Sequence, residues 1–142
     1  MHMNVVAQLD KPAPNLWISG LLGGTMAFVG SLALWVIARL FEIPILIAMG
    51  PPGQNPPVPL SPVQILIVVV ISALAATVFY ALLRRFFNHR ARRIFQILAL
   101  ILLLLSLGAP FSLAVPATNQ VVLVLMHLVT GAAIIWALTL RK

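Results

Sequence analysis

Leu16–Leu40 reads LWISGLLGGTMAFVGSLALWVIARL, an unbroken apolar run whose single charge, Arg39, falls near its far end. At about 1.5 Å per residue the run spans a hydrocarbon core of about 30 Å, so it predicts a transmembrane helix. A mostly polar stretch precedes it and no small-residue cleavage site follows, which reads as a retained helix rather than a signal peptide. Three similar runs lie beyond it. Residues 63–83 (VQILIVVVISALAATVFYALL) carry no charge and begin behind Ser61, Pro62 and Gln64, a capping box with proline at the first helical position. Residues 94–113 (IFQILALILLLLSLGAPFSL) are apolar throughout, but Gly108 and Pro110 predict that this helix kinks or ends about fourteen residues in. Residues 121–140 (VVLVLMHLVTGAAIIWALTL) follow Pro116, Thr118 and Asn119, which suit a turn and an N-cap.

The expected fold is therefore an all-α membrane protein: one domain over residues 1–142, an antiparallel bundle of four transmembrane helices with spans 16–40, 63–83, 94–113 and 121–140. Composition agrees. Of 142 residues 62% are hydrophobic and 8% charged, where a soluble domain carries about a quarter charged. The absence of cysteine excludes disulfides, thiolate catalysis and zinc–thiolate sites, and only two carboxylates, Asp10 and Glu42, are present for acid–base work.

The formal charge of +7 reads as topology rather than as nucleic-acid binding. Arg84, Arg85, Arg90, Arg92 and Arg93 fill the connection 84–93, Lys11 lies near the N-terminus, and Arg141 and Lys142 end the chain. With an even number of spans all these segments share one side, and the positive-inside rule makes it the cytoplasm, with both termini there. Trp17 and Trp35 stand about 27 Å apart on a helix, which suits one aromatic at each interface. The basic connection, RRFFNHRARR, is short enough to force a hairpin turning near Asn88, and its arginines are candidate contacts for anionic lipid headgroups. A turn held against the bilayer leaves little surface for nucleic acid. The outer connection 41–62 is proline-rich and cannot be helical; its β-branched run from Ile43 to Ile47 and the later Val58 and Leu60 predict a small hairpin-like cap, with an irregular loop as the alternative.

Gly20, Gly24, Ala27 and Ser31 recur at helical spacing on the first span, with Gly23 and Gly30 beside them. In lipid such small residues allow close backbone approach, so this stripe is expected to meet another helix, with Ala73, Ala76 and Thr77 or Thr130, Gly131 and Ala132 as facing surfaces, or a second copy of the chain. His127 is the titratable residue inside a span, about 9 Å below the outer boundary, with Ser106 at similar depth. Arg39 and Glu42 sit above, at a separation of three that permits pairing if the helix continues. These four, Arg39, Glu42, Ser106 and His127, are the candidate ligand-binding set; the alternative has His127 bonding Ser106 or a backbone carbonyl simply to fix packing. No metal site is expected, because His2, His89 and His127 fall on two sides of the membrane, and no cofactor motif or catalytic triad is present.

The run Trp35-Val-Ile-Ala-Arg39, the Ser106-Leu-Gly-Ala-Pro110 break and Met126-His-Leu-Val-Thr-Gly-Ala132 resemble a family of small four-helix bacterial integral membrane proteins known as a domain of unknown function. The resemblance implies a four-span, bacterial cytoplasmic-membrane protein with Arg39, Ser106, Pro110 and His127 as the positions of interest, and it implies no reaction. Three functions follow as expectations: a non-enzymatic accessory or assembly subunit, or homo-oligomer, acting through helix packing; a binder of a lipid, quinone or other small amphiphile in an outer-half polar pocket; and, more weakly, a transporter or channel protomer. The expected partners are membrane lipids, other membrane-protein subunits or itself.

Overall fold

A computed structural model describes residues 15–47, 56–113 and 115–139. The basic residues Lys11, Arg141 and Lys142, and Asp10, His2 and Leu140, lie outside the described residues, as does the glycine- and proline-rich centre of the connection 41–62, residues 48–55. The described chain is mostly helical: α1 Leu16–Leu40, β1 Leu46–Ile47, β2 Val58–Pro59, α2 Pro62–Phe87, a 3-10 turn Asn88–Arg90, α3 Ala91–Ser106, α4 Gly108–Phe111 and α5 Ala117–Thr139. Three helical stretches, Leu16–Leu40, Pro62–Phe111 and Ala117–Thr139, are long and apolar enough to cross a membrane. Their outward residues are large and apolar, including Leu21, Ile71 and Leu105, as lipid in place of water permits.

Local chemistry sets the helix ends. Asn15 caps α1 by accepting from the Trp17 amide. Ser61 and Gln64 close a reciprocal capping box at the start of α2, with Pro62 at the first position, where its missing N–H is no loss. Asn88 takes φ 43° where α2 gives way to the turn. There the chain folds back, because Phe95 meets Tyr80 at 4.8 Å and Phe79 at 6.3 Å between ring centroids, whereas one straight helix would hold residues 80 and 95 about 22 Å apart. After Ser106 the helix breaks, and Gly108–Phe111 forms a separate turn, since Pro110 cannot donate to the ladder.

The start of the last helix differs from the sequence expectation. α5 begins at Ala117, one turn earlier, so Asn119 is not an N-cap but a residue inside the first turn. It is 0% exposed. Its Oδ1 accepts from the Leu46 amide at 2.7 Å and its Nδ2 donates to the Leu46 carbonyl at 3.1 Å, so one side chain satisfies both backbone groups of a strand residue. Strands β1 and β2 pair antiparallel, Leu46 with Pro59 and Ile47 with Val58, and the Leu60 amide donates to the Ile45 carbonyl at 2.8 Å. Trp35 of α1 donates its indole N–H to the Leu60 carbonyl at 2.9 Å. The connection between α1 and α2 thus includes a small β cap tied to α1 and α5.

The small residues of α1 serve two neighbours. A methyl group added at Gly20 would collide with the Thr77 side chain, and one at Gly24 would lie 3.1 Å from the Ala73 Cβ, both on α2. At Gly23 it would lie 2.9 Å from the Ala137 Cβ and 3.2 Å from the Ile134 Cα, and at Gly30 2.5 Å from the Val129 Cγ1, all on α5. Ala27 and Ser31 are buried on the same helix, and Ser31 shares a 3.0 Å hydrogen bond with Thr130 of α5. Gly131 takes the Leu103 side chain of α3.

Two substitutions separate contact from propensity. Gly23→Ala has no flexible neighbour to yield and is expected to destabilise the protein by about 1–3 kcal/mol in detergent unfolding; Gly108→Ala, with nothing within 4 Å of the added methyl group, should stay within about 0.5 kcal/mol of the parent. Asn119→Leu strands both Leu46 backbone groups, which predicts a loss of about 1–3 kcal/mol and faster amide exchange at Leu46.

Candidate functional site

A cavity of about 760 Å³ lies among α2, α3 and α5. Ile65, Val69 and Ala76 of α2, Ala99 and Leu103 of α3 and Met126 of α5 are among its walls, and Ile47 and Leu60 of the β cap close one end. Phe95, packed on Tyr80 and Phe79, lies toward the other. Ile67, Val68 and Leu102 line the cavity while 51%, 60% and 61% exposed, so its mouth lies on the outward flank between α2 and α3.

Ser106 and His127 both line this cavity. They do not bond each other: Ser106 Oγ donates to the Leu103 carbonyl at 2.7 Å, and His127 Nδ1 bonds the Leu123 carbonyl at 2.8 Å. Because a carbonyl only accepts, Nδ1 carries the proton. With α5 starting at Ala117, His127 lies about 15 Å along the helix from its first residue. Ser72, ten positions after Pro62 as His127 is ten after Ala117, reaches the same cavity from α2.

Arg39 and Glu42 are not among the lining residues, and they form no ion pair with each other. The reason is the end of α1. Glu42 adopts φ 55° just past the helix, its amide donates to the Arg39 carbonyl at 3.1 Å, and the Ile43 amide reaches back to the Ala38 carbonyl at 2.9 Å. This Schellman closure stops the helix before position 42 can stack on position 39. Arg39 instead places its guanidinium 5.3 Å from the Trp35 ring centroid, a cation–π contact that braces the indole holding Leu60. The candidate set therefore divides into Ser106 and His127 at the cavity, and Arg39 and Glu42 at the closure of α1.

The remaining sequence candidates fall elsewhere. Arg84, Arg85, Arg90, Arg92 and Arg93 are all exposed around the Asn88 turn. A smaller cavity of about 400 Å³ lies between α1 and α2, where Thr25 and Thr77 bond carbonyls of their own helices. Among the described residues no group of His, Asp and Glu is placed to hold a metal ion. The structure adds Ser72 at the cavity and Asn119 at the cap to the positions that the sequence marks. The only local sign of Asn119 was an amide at the edge of an apolar run, and Ser72 has no local sign beyond a hydroxyl in a span.

Compared with known proteins, residues 11–142 match DUF6069, a family of unknown function. No curated protein and no solved structure matches the chain.

Two substitutions test the division of the set. Glu42→Gly relieves a left-handed backbone that an L-residue adopts at a cost, and is expected to raise stability by about 0.5–1 kcal/mol in detergent unfolding. Trp35→Phe removes the indole donor and should lower stability by about 1 kcal/mol, with faster backbone exchange in β2.

Proposed function

We propose that this chain, which belongs to the DUF6069 family of unknown function, is a non-enzymatic membrane protein that holds a small amphiphile, such as a lipid or quinone, in the cavity among α2, α3 and α5. The cavity carries the proposal. Its volume of about 760 Å³ falls within the usual range for small-molecule sites, its walls are mostly apolar, and a few polar groups, His127, Ser106 and Ser72, converge on it. Its mouth on the flank between α2 and α3 admits a ligand from the bilayer rather than from water.

The architecture that goes with this reading is four membrane spans, α1, α2, α3 with α4, and α5, arranged antiparallel. Contact order supports it. Gly20 and Gly24 meet Thr77 and Ala73, Gly23 and Gly30 meet Ala137 and Val129, and Gln96 and Leu103 meet Thr139 and Gly131, each pair running in opposite directions along the chain. The orientation proposed is that of the positive-inside rule, with the Asn88 turn and both termini in the cytoplasm of a bacterial cell and the exposed arginines against anionic headgroups. The glycine stripe supports an assembly or homo-oligomer role less well, since its contacts are met inside the chain.

Native mass spectrometry of protein released from its own membrane tests the proposal. A retained amphiphile is expected, and Ala76→Phe, which fills the cavity, is expected to lose it while keeping its helical content. A wild-type protein that carries no amphiphile but a stoichiometric protein partner would overturn the reading in favour of the accessory role. Since the chain has no cysteine, single replacements report the topology: Val58→Cys should react with an impermeant maleimide on intact cells, and Arg85→Cys only after permeabilisation.

A further inference from the structure

We infer that the cavity selects an uncharged amphiphile whose head is a hydroxyl, an aliphatic alcohol, a phenol or a quinol, which donates its hydrogen bond to His127 Nε2. The inference rests on the proposal that the cavity binds an amphiphile, and concerns which head it takes. Hydrogen-bond accounting carries it. With Nδ1 committed as a donor to the Leu123 carbonyl, the neutral ring has Nε2 left, and that nitrogen can only accept. Ser106 has likewise committed its proton to the Leu103 carbonyl, so its oxygen offers lone pairs alone. Thr130 and Ser31 share one hydrogen bond, which takes the proton of one hydroxyl and a lone pair of the other, and the Gln64 carbonyl oxygen accepts from the Ser61 amide.

Ser106 of α3 and His127 of α5 thus both present acceptors awaiting a donor. Among the described residues, no Lys, Arg, Asp or Glu lines the cavity. A carboxylate or phosphate head would lie unpaired in a low-dielectric site, and a carbonyl-only quinone, which can accept from Ser72 but has no proton to give, would leave Nε2 and the Ser106 oxygen unmet. A hydroxyl head fits, because it donates to Nε2 and can also accept, and Ser72 lines the cavity about as far along α2 as His127 is along α5, with its own O–H uncommitted among the described residues. The aliphatic tail lies against Val69, Ala76, Ala99 and Leu103.

The test uses the full-length protein in phosphatidylcholine nanodiscs, with empty discs as the partition control, and three radiolabelled probes of one chain length: hexadecanol, its methyl ether and palmitate. Hexadecanol is expected to bind about tenfold more tightly than the ether, because the ether leaves the acceptors unmet. His127→Phe should bring that ratio to about one without weakening the ether, and His127→Gln, whose Oε1 accepts, should restore part of it. Equal binding of alcohol and ether to the wild type, a preference that survives in His127→Phe, or palmitate binding more tightly than hexadecanol would each overturn the inference while leaving the cavity reading intact. If no probe binds above the empty discs, the cavity reading fails and the inference with it. The wild-type ratio decides the matter even if a variant does not fold.

Discussion

The rest of the structure depends on how closely α1 approaches two helices at once. Gly20 and Gly24 bring it against α2 on one side, and Gly23 and Gly30 bring it against α5 on the other. Lipid tails are as apolar as leucine, so burial gives these helices no reason to associate, and what holds them is van der Waals contact at short range with a few hydrogen bonds such as Ser31 to Thr130. Once α1 occupies the inner angle between α2 and α5, α3 is held to α2 by the rings of Tyr80, Phe79 and Phe95, and to α5 through Gln96 and Gly131. Large side chains hold α3 where small ones hold α1. The gap left among α2, α3 and α5 is the cavity, so the site follows from an uneven distribution of glycine.

Much of the fold could be read in the sequence because its causes are local. Hydropathy bounds α1 at Leu16 and Leu40, the Ser61-Pro62-Gln64 box starts α2, and Pro110 separates α4 from α3, each within a few residues of where the effect appears. The candidate site was legible only in part. His127 and Ser106 stood out as polar groups in apolar runs, and both line the cavity. Arg39 and Glu42 belong to the candidate set by their place at the same end of the bundle and by a spacing that permits pairing, and the left-handed backbone at Glu42, usual for glycine and rare for glutamate, breaks that pairing. Asn119 was out of reach for another reason. Its partner, Leu46, is 73 positions away, and an amide that satisfies a strand's main chain leaves no mark in the partner's side chain.

Anchoring through the main chain bears on how such a protein changes over time. Both anchors of the cap, Asn119 on Leu46 and Trp35 on Leu60, grip main-chain atoms, which every amino acid except proline supplies in full. The side chain of Leu60, and that of its neighbour in the cap Ile47, extend the cavity wall. Substitution at these two positions can therefore reshape the chamber without releasing the cap, so selection can act on chemical preference there while the scaffold goes unchanged. An architecture of this kind lets descendants of one fold diverge in what they hold before they diverge in shape.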